Sequence, residues 1–130
     1  MGVGGDPAGN KFYVNGTACG TSMWTTCSDR RLKRDIQGVA GALDKVMSLE
    51  GVSFLWRTDE YEDRNFDSGR HFGLIAQDVE AVLPEVVTEG SEGERAVAYA
   101  EIIPVLIEAM KTQQGKIEVL EERLAELETR

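Results

Sequence analysis

"YAEIIPVLIEAMKTQQGKIEVLEERLAELETR", residues 99–130, is the stretch that decides the architecture. Tyr99, Ile103, Leu106, Met110, Gln113, Ile117, Leu120, Leu124 and Leu127 alternate four and three residues apart. That spacing is a sustained heptad seam, the signature of a helix that meets like helices along one stripe. Beyond Gln113 the other faces are mostly Glu, Lys, Arg and Gln, so a globular core finds little there to grip. The pattern predicts a self-associating coiled coil, with Gln113 setting register at some cost in stability. Pro104 is expected in the first helical turn, where a missing N–H matters least. Ile117 followed by Leu120 leans toward a dimer, although a single pair carries little weight.

Working back toward the N-terminus, the middle of the chain reads as a small α+β unit. "EVVTEGSEGERAVAY" gives strand, turn and strand around Gly90 and Gly93. Asp78 opens a short helix with Val79, Val82 and Leu83 on one side, and Pro84 stops it. "HFGLIA" is a strand candidate, and "VSFLWR" places Val52, Phe54 and Trp56 on one strand face. Residues 58–70 are polar and read as a loop, including the acidic run at 59–63. Ile36, Val39, Ala40, Leu43, Val46 and Met47 recur at helical spacing, which predicts a helix over 36–49 capped by Asp35 and ended by Gly51. Residues 10–27 read as short extended segments, with a turn signal at Asn15-Gly16, that need strands from neighbouring chains. The Gly-rich opening "MGVGGDPAGN" lacks periodicity.

Composition narrows the classes of function. The 130 residues carry a net charge of −9, which disfavours nucleic-acid binding through general electrostatics. No apolar run reaches the ~18–20 residues that span a bilayer, and no signal-peptide pattern opens the chain. Cys19 and Cys27 lie eight apart and His71 is the single histidine, so no usual metal set is present. Two free thiols are the expected state. No metal or cofactor is called for.

One charged segment carries chemistry. In "TCSDRRLKRDI", residues 26–36, Ser28 precedes Lys33 by five residues. A serine hydroxyl needs a base to take its proton, and an amine serves only in its neutral form. Arg30, Arg31 and Arg34 surround Lys33 with like charge, whereas Asp29 and Asp35 act in the opposite sense. Five residues is awkward on one helical face but natural across a bend, with Ser28 before the turn and Lys33 at its end. On spacing alone, a solvated turn explains the segment as well as a nucleophile and its base do.

"SDRRLKRDI", "GVSFLW", "RHFGLIAQDVEAVLPEVV" and "AVAYAEIIPVLIEAMK" occur in that order. Together, over about residues 26–125, they closely resemble the C-terminal intramolecular chaperone auto-processing domain of phage tailspikes, tail fibres and endosialidases. A similar module lies within myelin regulatory factor proteins. The resemblance implies a homotrimer that folds an upstream β-rich fibre or spike and then cuts itself off, a single-turnover serine endopeptidase. It implies Cys27–Ser28 as the scissile bond, Ser28 as nucleophile and Lys33 as general base, and its trimer overrides the dimer lean of the heptad. Asp29, Arg31 and Leu32 match the first motif. Asp29 is expected to orient the turn or cap an amide, Arg31 to pair with an acid and Leu32 to pack. His71, Gln77 and Asp78 match the second motif. His71 is expected in a supporting structural role, Gln77 either in support near the site through a hydrogen bond or at a helix start, and Asp78 at a helix start. Residues 1–27 would be the end of the fibre, 28–100 the α+β domain and 101–130 the coiled-coil helix. The implied partners are like chains and the upstream segment, with neither nucleic acid nor membrane. The implied places are the host cytoplasm during assembly and the virion tail for the upstream part. A trimerisation module with the same fold that does not cut is the competing expectation.

Overall fold

The structure is a computed structural model and describes residues 14–130. Phe12 and the Gly-rich opening lie outside the described residues. The chain divides into two compact units. One takes in residues 39–51, 74–88 and 95–130, and the other residues up to 38 together with 52–73 and 89–94.

The first of these is built on α3, Tyr99–Glu128, a single helix of 30 residues and thus about 45 Å long. Its N-terminal third buries Ile102, Val105 and Ala109, spaced three and four apart. Against this stripe pack Ala42 of α1 (Ala42–Met47), Val79 of α2 (Ala76–Val82), Leu83, and Val86 of the 3-10 turn Pro84–Val86. Val79 is the most enclosed, at 1% exposure. Strands β3 (Val87–Glu89) and β4 (Arg95–Val97) form a hairpin, closed by Gly93 at φ 82°, a left-handed conformation that favours glycine. Arg95 Nε donates to Glu80 Oε2 at 2.6 Å and ties β4 to α2. This is the strand–turn–strand and the Pro84-stopped helix read from the sequence, although the helix opens at Ala76, ahead of Asp78 and inside the expected strand 71–76.

The bounds of two helices, α1 and α3, differ from expectation. The helix predicted over 36–49 shrinks to Ala42–Met47. Asp35, at φ 50°, and Gly41, at φ 62°, are both left-handed, which no helix interior tolerates. Asp35 accordingly caps nothing in α1. Ile36 and Val39 stay exposed, while Leu43 and Val46 do reach the core. The second change concerns α3, which starts at Tyr99, so Pro104 is its sixth residue and lies past the first turn. Contacts beyond the periodic pattern set that start. Ala98 N–H donates to Val86 O at 2.8 Å, and the Tyr99 hydroxyl oxygen accepts the Leu74 N–H at 2.8 Å.

The seam itself runs beside the buried stripe, about 100° around the helix from it. Ile103, Leu106, Met110, Ile117, Leu120, Leu124 and Leu127 are between 42% and 70% exposed. From Met110 to the C-terminus no residue is buried within the chain. The helix thus uses one apolar stripe within the chain and leaves a second open to solvent.

The other unit holds the antiparallel pair β1 (Val52–Leu55) and β2 (Arg70–Gly73), in the register Val52↔Gly73 through Leu55↔Arg70. Val52 and Phe54 face inward as predicted, and Trp56 follows just past the strand end. The loop between the strands carries a 3-10 turn, Glu62–Arg64, and then folds back to stack Phe66 on Trp56, with centroids 4.2 Å apart and planes at 5°. Phe54 meets Trp56 edge-on at 4.9 Å. Aromatic area supplies the interior that so short a sheet needs. Residues 14–29 contain no strand: the backbone bends at Asn15-Gly16 and then runs exposed, with Met23 at 88% and Trp24 at 76%. The β segments expected there have no ladder within one chain, because none of the described strands lies alongside to pair with them. Asn15 Nδ2 donates to Asp63 O at 3.0 Å. Cys19 and Cys27 are both free and exposed.

Candidate functional site: the Ser28–Lys33 turn

Residues 30–32 form one 3-10 turn. Asp29 starts it: its Oδ1 accepts the Arg31 N–H at 2.8 Å, and Leu32 N–H donates to Asp29 O at 3.1 Å. Lys33 closes it, donating its N–H to Arg30 O at 3.1 Å, and then returns to extended backbone at φ −116°. Acid capping of a turn start satisfies amides that the turn itself leaves open. The bend brings the residues at its two ends together. Lys33 Nζ donates to Ser28 Oγ at 2.7 Å.

The two carboxylates beside this contact both have partners. The Asp29 carboxylate grips the Arg31 guanidinium through Nη2–Oδ2 at 2.7 Å and Nε–Oδ1 at 3.1 Å. The guanidinium, and then the Arg31 amide, hold the Asp29 carboxyl below the usual carboxylate range. Asp29 in return raises Arg31. Asp35 Oδ1 accepts Gln37 Nε2 at 2.9 Å. Arg31 therefore pairs with an acid, and Asp29 both caps and orients the turn. Leu32, read as a packing residue, is instead 73% exposed in the single chain, because the 3-10 turn that carries it buries none of its residues.

The turn is open to solvent: Cys27, Ser28 and Lys33 are all exposed. In chemical terms, a hydroxyl and an amine are in proton-transfer contact, and the hydroxyl belongs to the residue just after the Cys27–Ser28 peptide bond. Oγ of such a residue is joined to its own amide nitrogen through Cβ and Cα and has a short path to the preceding carbonyl carbon.

The remaining sequence candidates lie elsewhere. His71 is on β2, where its Nε2 meets Asp67 Oδ1 at 3.0 Å and its ring stacks near Phe54 at 5.7 Å. Asp67 also accepts the Gly69 N–H at 2.7 Å. That amide, then His71, keeps the Asp67 carboxyl low. His71 thus braces the β1–β2 loop, and neither Ser28 nor Lys33 is its partner. Asp67 had escaped the sequence reading, although its spacing of four before His71 is a legible signal. Gln77 and Asp78 occupy the first turn of α2, both exposed, as helix-start residues. Among the described residues no group of acids, His and Cys could hold a metal ion, and no helix is long and apolar enough to cross a membrane.

The sequence is similar to known proteins. Residues 28–88 match the family described as chaperone of endosialidase. The long tail fiber protein Gp37 of Enterobacteria phage K3 is 35% identical over 105 residues, 75% of this chain and 8% of its own length. Gp37 of Salmonella phage S16 is 33% identical over 103 residues, 77% of this chain and 14% of its own. Gp37 of Enterobacteria phage T2 is 35% identical over 105 residues, 75% of this chain and 7% of its own. The chain thus spans a small fraction of the length of these relatives. The match begins at Ser28 and takes in the turn, both strands of the β1–β2 pair and α2. Through residues 28–88 the chain belongs to the chaperone of endosialidase family, in the form found at the level of sequence in phage long tail fibres.

Proposed function

We propose that this chain is the intramolecular chaperone of a phage tail fibre or tailspike, that it acts as a homotrimer, and that it releases itself by autoproteolysis at Cys27–Ser28. Ser28 is the nucleophile and Lys33 the general base. The observation that carries the reading is the 2.7 Å contact from Lys33 Nζ to Ser28 Oγ, made by two residues five apart in sequence. The family match and the tail-fibre relatives support the chaperone part of the reading.

The chemistry runs as follows. Lys33, in its neutral form, takes the Ser28 hydroxyl proton as Oγ attacks the Cys27 carbonyl carbon. The C–N bond breaks, the Ser28 nitrogen takes up a proton, and the acyl group rests on Oγ as an ester. Water then hydrolyses the ester, leaving a Cys27 carboxylate and the free Ser28 hydroxyl. Each chain needs this only once. A rate of ~10⁻³ s⁻¹ suffices and corresponds to a barrier of about 21–22 kcal/mol.

Timing follows from exposure. Both groups face solvent in the single chain, so shielding must come from neighbouring chains. Assembly along the α3 seam would precede the cut, and cleavage would then report a completed trimer. The same exposure favours a second reading, a trimerisation and folding module that never cuts.

Intact-mass measurement on a chain with a longer upstream segment separates these. Splitting between Cys27 and Ser28 in the parent, absent in Ser28→Ala and Lys33→Ala, is the expected result. An uncut parent in a verified trimer would establish the second reading instead. A folded monomer that cuts at the full rate would refute the dependence on assembly.

A further inference from the structure

We infer that Arg31 is a positioning residue, whose guanidinium holds the Asp29 carboxylate and so prevents it from capturing Lys33 away from Ser28. The consequence for cutting rests on the self-cleavage reading above, whereas the contact itself does not.

The hazard is built into the turn. Asp29 lies next to Ser28 in the chain and four residues before Lys33, a separation at which opposite charges meet across one turn. A carboxylate is a stronger acceptor for an ammonium group than a neutral hydroxyl is, because opposite charges then add to the hydrogen bond. A released Asp29 would therefore outcompete Ser28 Oγ for Lys33 Nζ. Yet the turn uses this side chain, because Asp29 Oδ1 accepts the Arg31 amide at 2.8 Å. The structure meets both demands with one neighbour. The Arg31 guanidinium takes both carboxylate oxygens, at 2.7 Å to Oδ2 and 3.1 Å to Oδ1, without breaking the amide bond. The other carboxylate beside Lys33 is occupied too, since Asp35 holds Gln37 Nε2. Arg31 is 87% exposed and touches no core residue, so packing gives no competing account of its fork.

The test compares the parent, Arg31→Gln and the double variant Asp29→Asn/Arg31→Gln. Asn keeps the cap to the turn amide and removes the charge. Cleavage is followed over time after cell-free synthesis. Arg31→Gln is expected to cut about tenfold slower than the parent, and the double variant to regain most of that loss. A plain turn-supporting role gives no recovery, and a double variant as slow as Arg31→Gln, or an Arg31→Gln as fast as the parent, overturns the inference. A second readout does not need cutting. In a Ser28→Ala background, a small acylating reagent labels Lys33, quantified by peptide mapping. Labelling is expected to fall with Arg31→Gln and return in the double variant. Equal labelling across the set refutes the inference even if every parent chain cuts. An uncut parent with the expected labelling pattern refutes self-cleavage alone.

Discussion

Truncating Leu124 to Ala tests whether the open stripe of α3 is an assembly surface. Leu124 is 57% exposed in the single chain and lies beyond every buried residue of the helix. Leu→Ala removes three carbons, each worth about 0.8 kcal/mol when fully buried, or about 2.4 kcal/mol in all. Scaling by the fraction still open to be covered leaves about 1.4 kcal/mol per chain. Three chains meeting at one layer make that about 4 kcal/mol per trimer. At 1.4 kcal/mol per decade, the association constant should fall about a thousandfold. Sedimentation equilibrium over a dilution series reads this directly, and Glu122→Ala, off the seam, is the control. The folded unit around Val79 should keep its circular dichroism at low temperature, since no core contact is touched. A parent that remains monomeric throughout, or a Leu124→Ala chain that sediments like the parent, would refute the reasoning.

Other expectations rest on single residues. Val79→Ala opens a void at the most enclosed side chain of the core and should cost about 2–3 kcal/mol, read as a lower denaturation midpoint with an unchanged slope. Asp29 has a folded-state pKa below its unfolded one, so the cap contributes fully above about pH 4 and is lost as pH falls through the depressed value. A carboxyl-carbon NMR titration of Asp29 should place its midpoint below that of an ordinary Asp, and Arg31→Ala should move it up. A midpoint unmoved by Arg31→Ala would show that the guanidinium is not the cause.

The family-level features were legible because they are local. Period-2 and period-3.5 patterns reported β1, β2, β3, β4, α2 and α3, and Pro84 marked a stop that backbone chemistry enforces. The five-residue spacing of Ser28 and Lys33 called for a bend, and the bend starts at Asp29, a good capping residue. The shortened α1 was not legible. Ile36 and Val39 keep perfect helical spacing, but periodicity says nothing about the left-handed backbone at Asp35 and Gly41.

What the sequence determined by itself is most of the elements and the heptad seam on the last helix, since both follow from the chemistry of neighbours along one chain. Tertiary structure decided which stripe is used at home. Ile102, Val105 and Ala109 are buried because α1, α2 and the Pro84 turn arrive there, while Leu120, Leu124 and Leu127 are left open. It also decided the fate of the charges beside Lys33. Sequence order cannot tell whether Asp29 faces the amine or Arg31, because that depends on which oxygen the turn directs to which donor. The folded turn gives the carboxylate to Arg31 and the amine to Ser28.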